Sequence, residues 1–286
     1  MASDRAAVSA LASVAARPCW IIDLDGVVYA GDHALRGAVA AVAALRQSGR
    51  RVAFLTNNSR SRCEEVRHKL VGLGIPCAAA ELLNSAQAAA RYVRDQGLGQ
   101  AERAGIFVIG MPGLCQELVA HGVILGEPET CGAVVVGIDL EFTYEKLVRG
   151  LRALWRGVPF IACNRDANFP GKDGRLLPGC GAMVAALEAA AQRPPTYEVG
   201  KPNPLMLDLL LAGLQLTRAD CVMVGDSLEA DIAMAERAAV PSIWIGQQDP
   251  ARNAPQCVIA PTLRAVSLAE AVAVVLAAGV TPRVAG

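Results

Sequence analysis

The chain has 286 residues, a length that suits two domains better than one. It is 53% hydrophobic and 19% charged, which excludes a disordered chain, and its 27 basic and 27 acidic residues cancel, which argues against nucleic acid or an acidic membrane as partner. Nine cysteines with no C-x-x-C spacing read as free thiols of a reducing, cytoplasmic compartment and not as a zinc site.

The first 18 residues are rich in alanine, with Arg5 and Arg17. A targeting segment has a similar look, but Asp4 argues against one, and the stretch reads as a leading helix. No uninterrupted apolar run reaches about 18 residues, so no membrane span is expected. Cys19 to Ile22 is a short apolar run without polar alternation, the pattern of a strand buried on both faces in a parallel sheet. It runs into Asp23, Leu24, Asp25 and Gly26. Parallel sheets bind ligands at the carboxyl ends of their strands, so two carboxylates here have a reason to exist beyond a solvated turn. They repel one another and each is costly to desolvate; a hard cation such as Mg²⁺ relieves both problems.

Ala38 to Gln47 is expected to be helical and to end near Gly49, and Tyr29 to Leu35 to be a loop. Val52 to Leu55 is a second buried strand, followed by Thr56, Asn57, Asn58 and Ser59. Such a cluster of small hydrogen-bonding groups can hold an anion, and Ser59 or Ser61 can also cap the helix expected over Cys63 to Leu70. Further helices are expected over Ala86 to Gln96, Tyr144 to Trp155, Gly181 to Ala191, Leu205 to Ala212 and Ser267 to Ala278. Strands are expected at Ile106 to Ile109, Ala133 to Gly137, Phe160 to Cys163, Cys221 to Val224, Ser242 to Ile245 and Cys257 to Ile259. The segment Asn164 to Gly181, with its glycines and prolines, is expected to be a loop or tight hairpin.

The site-like pieces are interrupted between Asn84 and Pro178, which gives a core of residues 1–83 and 179–286 and an inserted domain of 84–178. The insert holds ten basic and ten acidic residues, so it is no basic funnel. After it, Lys201 lies between Gly200 and Pro202 just before a helix, where it opposes the helix dipole and stability gives no reason for it. The strand ending at Val224 then delivers Asp226, with Ser227 next and Asp231 on the following turn. Strands alternating with helices make a doubly wound, Rossmann-like α/β core with an inserted α/β domain. Four strand ends supply carboxylates, one ammonium and neutral donors, the mixture that phosphoryl transfer needs.

In order and spacing, DLDGV, TNN, GKP and GDSLEAD resemble the four motifs of the haloacid dehalogenase superfamily. The large insert between TNN and GKP, with TNNSRSR and NRDANFP…GRLLPGCG, resembles the branch of 4-nitrophenyl, pyridoxal and phosphoglycolate phosphatases. The resemblance implies a Mg²⁺-dependent phosphomonoester hydrolase that acts on a small phosphorylated metabolite through an aspartyl-phosphate. It makes Asp23 the nucleophile and Asp25 the acid and base. Mg²⁺ is then held by the Asp23 carboxylate, the Asp25 backbone carbonyl and Asp226, with Asp231 acting on the ion through water or through its ligands. Thr56, Asn57 and Asn58 surround the phosphate, and Lys201 neutralises it and keeps Asp23 ionised.

The insert resembles a cap that closes over the site, with Asn164 to Phe169 supplying substrate contacts and two copies pairing through the cap. Phe169 stands where pyridoxal phosphatases of the branch carry a histidine, which argues against pyridoxal phosphate as main substrate. Arg60 and Arg165 are candidates for an anionic substrate tail. A two-component receiver also gathers acids, a hydroxyl and a lysine at a sheet edge, but it lacks D-x-D-G and is far shorter. A phosphometabolite-binding regulator with a relict site, or a phosphomutase, keeps the fold and changes the outcome.

Overall fold

The structure is a computed structural model, and it describes residues 2–99, 104–171, 175–246 and 259–280. In chain order, α1 (Ala2–Ala15) leads to β1 (Cys19–Ile22), the hairpin β2 (Tyr29–Ala30) and β3 (His33–Ala34), α2 (Ala38–Gln47), β4 (Arg51–Thr56), α3 (Cys63–Gly72) and β5 (Leu82–Asn84). There follow α4 (Ser85–Asp95), β6 (Ile106–Ile109), α5 (Pro112–Ala120), β7 (Ala133–Val136), α6 (Tyr144–Trp155) and β8 (Phe160–Ala162). Next come β9 (Asn168–Pro170), β10 (Leu176–Pro178), α7 (Cys180–Ala191), β11 (Tyr197–Glu198) and α8 (Leu205–Leu214). The chain closes with β12 (Cys221–Gly225), a π-helical turn at Leu228–Ile232, α9 (Ala233–Arg237), β13 (Ser242–Ile245), β14 (Leu263–Ala265) and α10 (Leu268–Ala277).

These elements form two compact units. The first comprises Met1–Thr56, Lys69–Leu82 and Leu207–Gly286. Its sheet has the order β14-β13-β12-β1-β4-β5, and β1 pairs in parallel with β12 on one side and β4 on the other. All four residues of β1 are fully buried, as its unbroken apolar run requires of a central strand. Burying side chains such as Trp20, Ile21 and Ile22 contributes about 1.5–3 kcal/mol each. Helix α2 turns Ala38, Ala41, Val42 and Leu45 inward at helical spacing. The chain reverses direction across the sheet beside β1, where doubly wound folds place their ligands.

The second unit comprises Asn57–His68 and Leu83–Met206. It is built on a four-stranded parallel sheet of order β11-β8-β7-β6. Asn84 caps α4 by accepting from the Gln87 N–H at 2.9 Å, and Thr143 caps α6 by accepting from the Lys146 N–H at 3.2 Å. The sequence expectation ended the insert at residue 178. Here residues 180–198 belong with the second unit, because α7 packs on α6 and β7 while β11 pairs with β8. The segment expected as a loop or hairpin forms the antiparallel pair β9 and β10. Residues 172–174 between them lie outside the described residues.

Three further differences have local causes. Tyr29 to Ala34 is a hairpin and not a loop, because Gly31 takes a positive φ of 54° at its tip. Helix α5 has only nine residues and starts at Pro112, too short for its periodicity to stand out. The last strand is Leu263–Ala265; of the strand expected at 257–259, Cys257 and Val258 lie outside the described residues. Among the described residues no helix is long and apolar enough to cross a membrane.

Candidate active site

The first unit gathers its acids by register. Ile22 lies opposite Val224, so Asp23 follows β1 next to Gly225 at the end of β12, and its N–H donates to the Val224 carbonyl at 2.8 Å. Asp226 is the next residue along. One oxygen from each of Asp23, Asp226 and Asp231 lies within 4.8 Å of the others; Asp23 and Asp231 are buried and Asp226 is exposed.

Two glycines make this packing feasible. A side chain at Gly26 would occupy the space of the Asp226 carboxylate, and one at Gly225 would occupy that of Asp231. Gly26 also has a φ of 81°, which L side chains rarely adopt. Asp231 is aimed by the π-helical turn, in which Asp231 N and Ile232 N both donate to the Ser227 carbonyl at 2.9 and 3.2 Å. The Ser227 N–H in turn donates to Asp231 Oδ2 at 3.1 Å. The indole of Trp244 donates to the Asp226 carbonyl at 2.8 Å and fixes that backbone.

These residues fit a divalent cation. The donor set is all oxygen, as Mg²⁺ prefers, and three carboxylates at this separation are mutually repulsive without a positive charge. Asp25 projects differently. It is exposed, and the Tyr29 hydroxyl donates to its Oδ2 at 3.4 Å. Lys69 Nζ sits 3.8 Å from the centre of the Tyr29 ring and donates to the Gly31 carbonyl at 2.6 Å, so the tyrosine is held in place. Thr56, 2% exposed at the end of β4, shares the carboxyl edge of the sheet with Asp23, since Phe54 lies opposite Ile22.

The second unit holds the remaining polar group. Asn57 accepts from the Lys201 N–H through Oδ1 at 2.9 Å and donates through Nδ2 to the Lys201 carbonyl at 3.2 Å. The same Nδ2 donates to Asp166 Oδ1 at 3.1 Å. The Asn57 carbonyl accepts from Ser85 Oγ and from Asn164 Nδ2, both at 2.7 Å. Lys201 is 3% exposed, and a side chain at Gly200 would collide with the Asn57 carboxamide. The Lys201–Pro202 peptide is cis.

Asn58 stabilises its own turn: Oδ1 accepts from the N–H groups of Arg60 and Ser61 at 2.8 and 3.2 Å. Ser59 does not cap the following helix. Its hydroxyl accepts from the Ile138 N–H at 2.9 Å, and Cys63 N at the start of α3 donates to the buried Glu117 carboxylate at 2.6 Å. Phe169 lies in β9, half-buried. Arg60 is exposed, whereas Arg165 is tied to Glu188 and, at 2.7 Å, to Glu198. The sequence reading missed Asp166, Asn164 and Ser85 as supports of Asn57, and Trp244 and Tyr29 as supports of the acids. The first two lie in a loop already marked for its polar residues; a lone Trp or Ser carries no local signal.

Comparison with known proteins agrees with this architecture. Residues 20–124 match the family described as haloacid dehalogenase-like hydrolase, and residues 198–271 match a second, HAD-hydrolase-like family. An acid sugar phosphatase of Staphylococcus saprophyticus is 35% identical over 213 residues, 74% of this chain and 80% of that one. A glycerol-3-phosphate phosphatase of Gallus gallus is 36% identical over 236 residues, 75% of this chain and 74% of the relative. The solved structure of a p-nitrophenyl phosphatase from Archaeoglobus fulgidus superposes with a TM-score of 0.82 at 28% identity, covering 90% of this chain and 98% of that one. With its sheet order, its acids at the strand ends and these relatives, the chain belongs to the haloacid dehalogenase-like hydrolases.

Proposed function

We propose that this phosphatase hydrolyses small phosphomonoesters, sugar or polyol phosphates among them, with Asp23 as nucleophile. The observation that carries the reading is the carboxylate group of Asp23, Asp226 and Asp231, with glycines at 26 and 225 leaving it room. The names of the relatives, all phosphatases of small esters, support the substrate class.

A carboxylate nucleophile needs no deprotonation at neutral pH, but a phosphate dianion approaches it only if charge is neutralised. Mg²⁺, held by the carboxylates of Asp23 and Asp226 and the backbone carbonyl of Asp25, would supply part of that neutralisation, with Asp231 steadying the group. Lys201 supplies the rest as a fixed cation, and Thr56, Asn57 and Asn58 offer donors to the phosphate oxygens. Asp23 attacks phosphorus and forms the aspartyl-phosphate while Asp25 gives its proton to the leaving oxygen. Asp25 then takes a proton from the water that releases phosphate. The inserted unit acts as the cap that selects the leaving group, with Asn164 to Phe169 in contact with substrate. Two copies pair through that unit, and the protein works in the cytoplasm.

The test is steady-state release of inorganic phosphate from 4-nitrophenyl phosphate and from a set of sugar and polyol phosphates. Turnover with Mg²⁺ that stops in EDTA is the expected result. Binding without turnover would make the chain a phosphometabolite sensor. An isomeric product without free phosphate would make it a mutase.

A further inference from the structure

The segment that follows β4 belongs to the second unit, and every other residue of it is tied to a different part of that unit. The Asn57 carbonyl accepts from Ser85 Oγ in α4 and from Asn164 Nδ2, both at 2.7 Å. Ser59 Oγ accepts from the Ile138 N–H, beyond the end of β7, at 2.9 Å. The Ser61 carbonyl accepts from Asn84 Nδ2, at the end of β5, at 2.8 Å. The Cys63 N–H, first of α3, donates to Glu117 Oε1 in α5 at 2.6 Å. The residues between these anchors are half-buried or exposed, and they bond locally: Asn58 Oδ1 accepts from the N–H groups of Arg60 and Ser61, and the Arg62 N–H donates to Glu65 Oε2 at 3.1 Å.

Glu117 differs from the other anchors because it is a carboxylic acid, and it is only 4% exposed. Burying such a group is costly unless partners repay it. Its partners are few and specific. Oε1 takes the Cys63 N–H, and Oε2 lies 3.6 Å from His121 Nδ1, which itself donates to the Glu117 carbonyl at 2.9 Å. Arg62, the residue before α3, has no side-chain oxygen to cap that helix, so the cap comes from 54 residues away. A carboxylate there also complements the helix dipole. Gly113 brings α5 close enough: a side chain at this position would lie 2.4 Å from the Arg60 carbonyl and 2.9 Å from the Arg62 nitrogen. Gly113 and Glu117 are four residues apart and so share one face of α5, the face that rests on this loop.

We infer that Glu117 is a positioning residue for the phosphate: by fixing the start of α3 it holds the loop of residues 57–62, and with it Asn57 and Asn58, in the conformation that receives a phosphoryl group. The inference rests on the proposal that these asparagines offer donors to phosphate oxygens. Glu117 touches neither substrate nor metal; it acts through the Cys63 N–H. Hydrogen bonds with an ionised acceptor are shorter and stronger than neutral ones, and the 2.6 Å contact is the shortest of the five that tie residues 57–63 to the rest of the unit. Releasing it frees one end of the loop while the ties of Asn57 hold the other. The phosphate is bound before and during its transfer alike, so a loosened loop weakens binding more than it slows chemistry.

The test compares the full chain with Glu117→Ala, Glu117→Gln and Leu154→Ala. In Glu117→Ala, the KM for 4-nitrophenyl phosphate and the inhibition constant of inorganic phosphate should both rise at least about tenfold, with a smaller fall in kcat. Glu117→Gln keeps an acceptor for the Cys63 N–H and should recover both constants to within about threefold. Leu154, buried in α6, controls for lost stability: Leu154→Ala should lower the melting temperature by at least as much and leave KM unchanged. Amide hydrogen exchange without substrate reads the loop itself. Peptides covering residues 57–63 should be protected in the parent chain and exchange at least about tenfold faster in Glu117→Ala, while those of β7 keep their rate. A parent chain in which the Cys63 amide exchanges as fast as an open loop would overturn the inference, whether or not Glu117→Ala folds. So would a Glu117→Ala protein with unchanged KM and phosphate affinity, or a Leu154→Ala protein with the same rise in KM. Absence of turnover in the parent chain would count against the phosphatase reading alone, since the exchange comparison uses no turnover and still decides whether Glu117 holds the loop.

Discussion

Asn57 brackets Lys201: its carboxamide accepts from the lysine's N–H at 2.9 Å and donates to the lysine's carbonyl at 3.2 Å. An asparagine two positions before Ser59 and a lysine 144 residues away in sequence are thereby set in one fixed relation. Asn57 itself is anchored by Asp166, Ser85 and Asn164. Its carboxamide is a positioning device for the lysine.

Replacing Asn57 by alanine should therefore act through Lys201. Each lost hydrogen bond contributes about 0.5–1.5 kcal/mol, and the buried donors and acceptors left behind cost more. Turnover of 4-nitrophenyl phosphate should fall about 10- to 100-fold, with a melting temperature lowered by a few degrees at most. The conservative Asn57→Asp keeps an acceptor for the Lys201 N–H but loses the donor and places a negative charge beside Asp166, so it should be no better. Unchanged turnover in Asn57→Ala would refute the positioning role.

Gly26→Ala tests the crowding around Asp226. The positive φ of 81° alone costs an alanine roughly 1–2 kcal/mol, and the added methyl group displaces the Asp226 carboxylate. The expected result is a raised Mg²⁺ requirement: half-maximal turnover should need at least about tenfold more metal. Isothermal titration of Mg²⁺ into the variant gives the same answer without turnover. An unaltered affinity would mean that Asp226 does not hold the ion.

Alkaline pH should unfold this protein through its buried thiols. Burial pushes Cys19, Cys180 and Cys221 up to about 12 each, and for Cys19 the neighbouring Cys221 adds to the effect. Below the ordinary thiol pKa near 9 both states are protonated and nothing is lost. Above it the unfolded chain releases protons that the folded chain retains, so stability falls as pH rises from about 9 toward 12. The slope is up to about 1.4 kcal/mol per pH unit for each thiol. Denaturant midpoints measured from pH 7 to 11 should decline only past pH 9, and Cys19→Ala with Cys221→Ala should flatten that decline. A midpoint that is flat to pH 11 would contradict this.

The first unit was legible because its strands are short apolar runs that end in unusual residues. Cys19 to Ile22 reads as a buried strand, and the acid pair at its end gained its meaning only together with the polar groups at the other strand ends. The order of strands, and with it the approach of Asp23 to Asp226, follows from the rule that sheet positions reverse beside the first strand. What the sequence hides is the support. Trp244 reaches the Asp226 carbonyl from the adjacent strand β13, and Asp166 reaches Asn57 across 109 residues; neither link has a local pattern. The strand β11 left no mark in the sequence because it is two residues long, and its partner β8 is set by pairing and not by propensity.

Whether Asp23 takes the phosphoryl group while Asp25 moves the proton can be read from the intact mass of two variants exposed to 4-nitrophenyl phosphate. Asp25→Asn keeps the nucleophile, and nitrophenolate leaves without a proton, so the first step should partly survive; the acid and base help that is lost is worth about 10²–10⁴-fold. It should release nitrophenolate about once per site and accumulate a protein heavier by one phosphoryl group. Asp23→Asn should show neither burst nor mass increment. A phosphorylated Asp23→Asn protein, with the modification mapped to Asp25, would reverse the two roles and contradict the account.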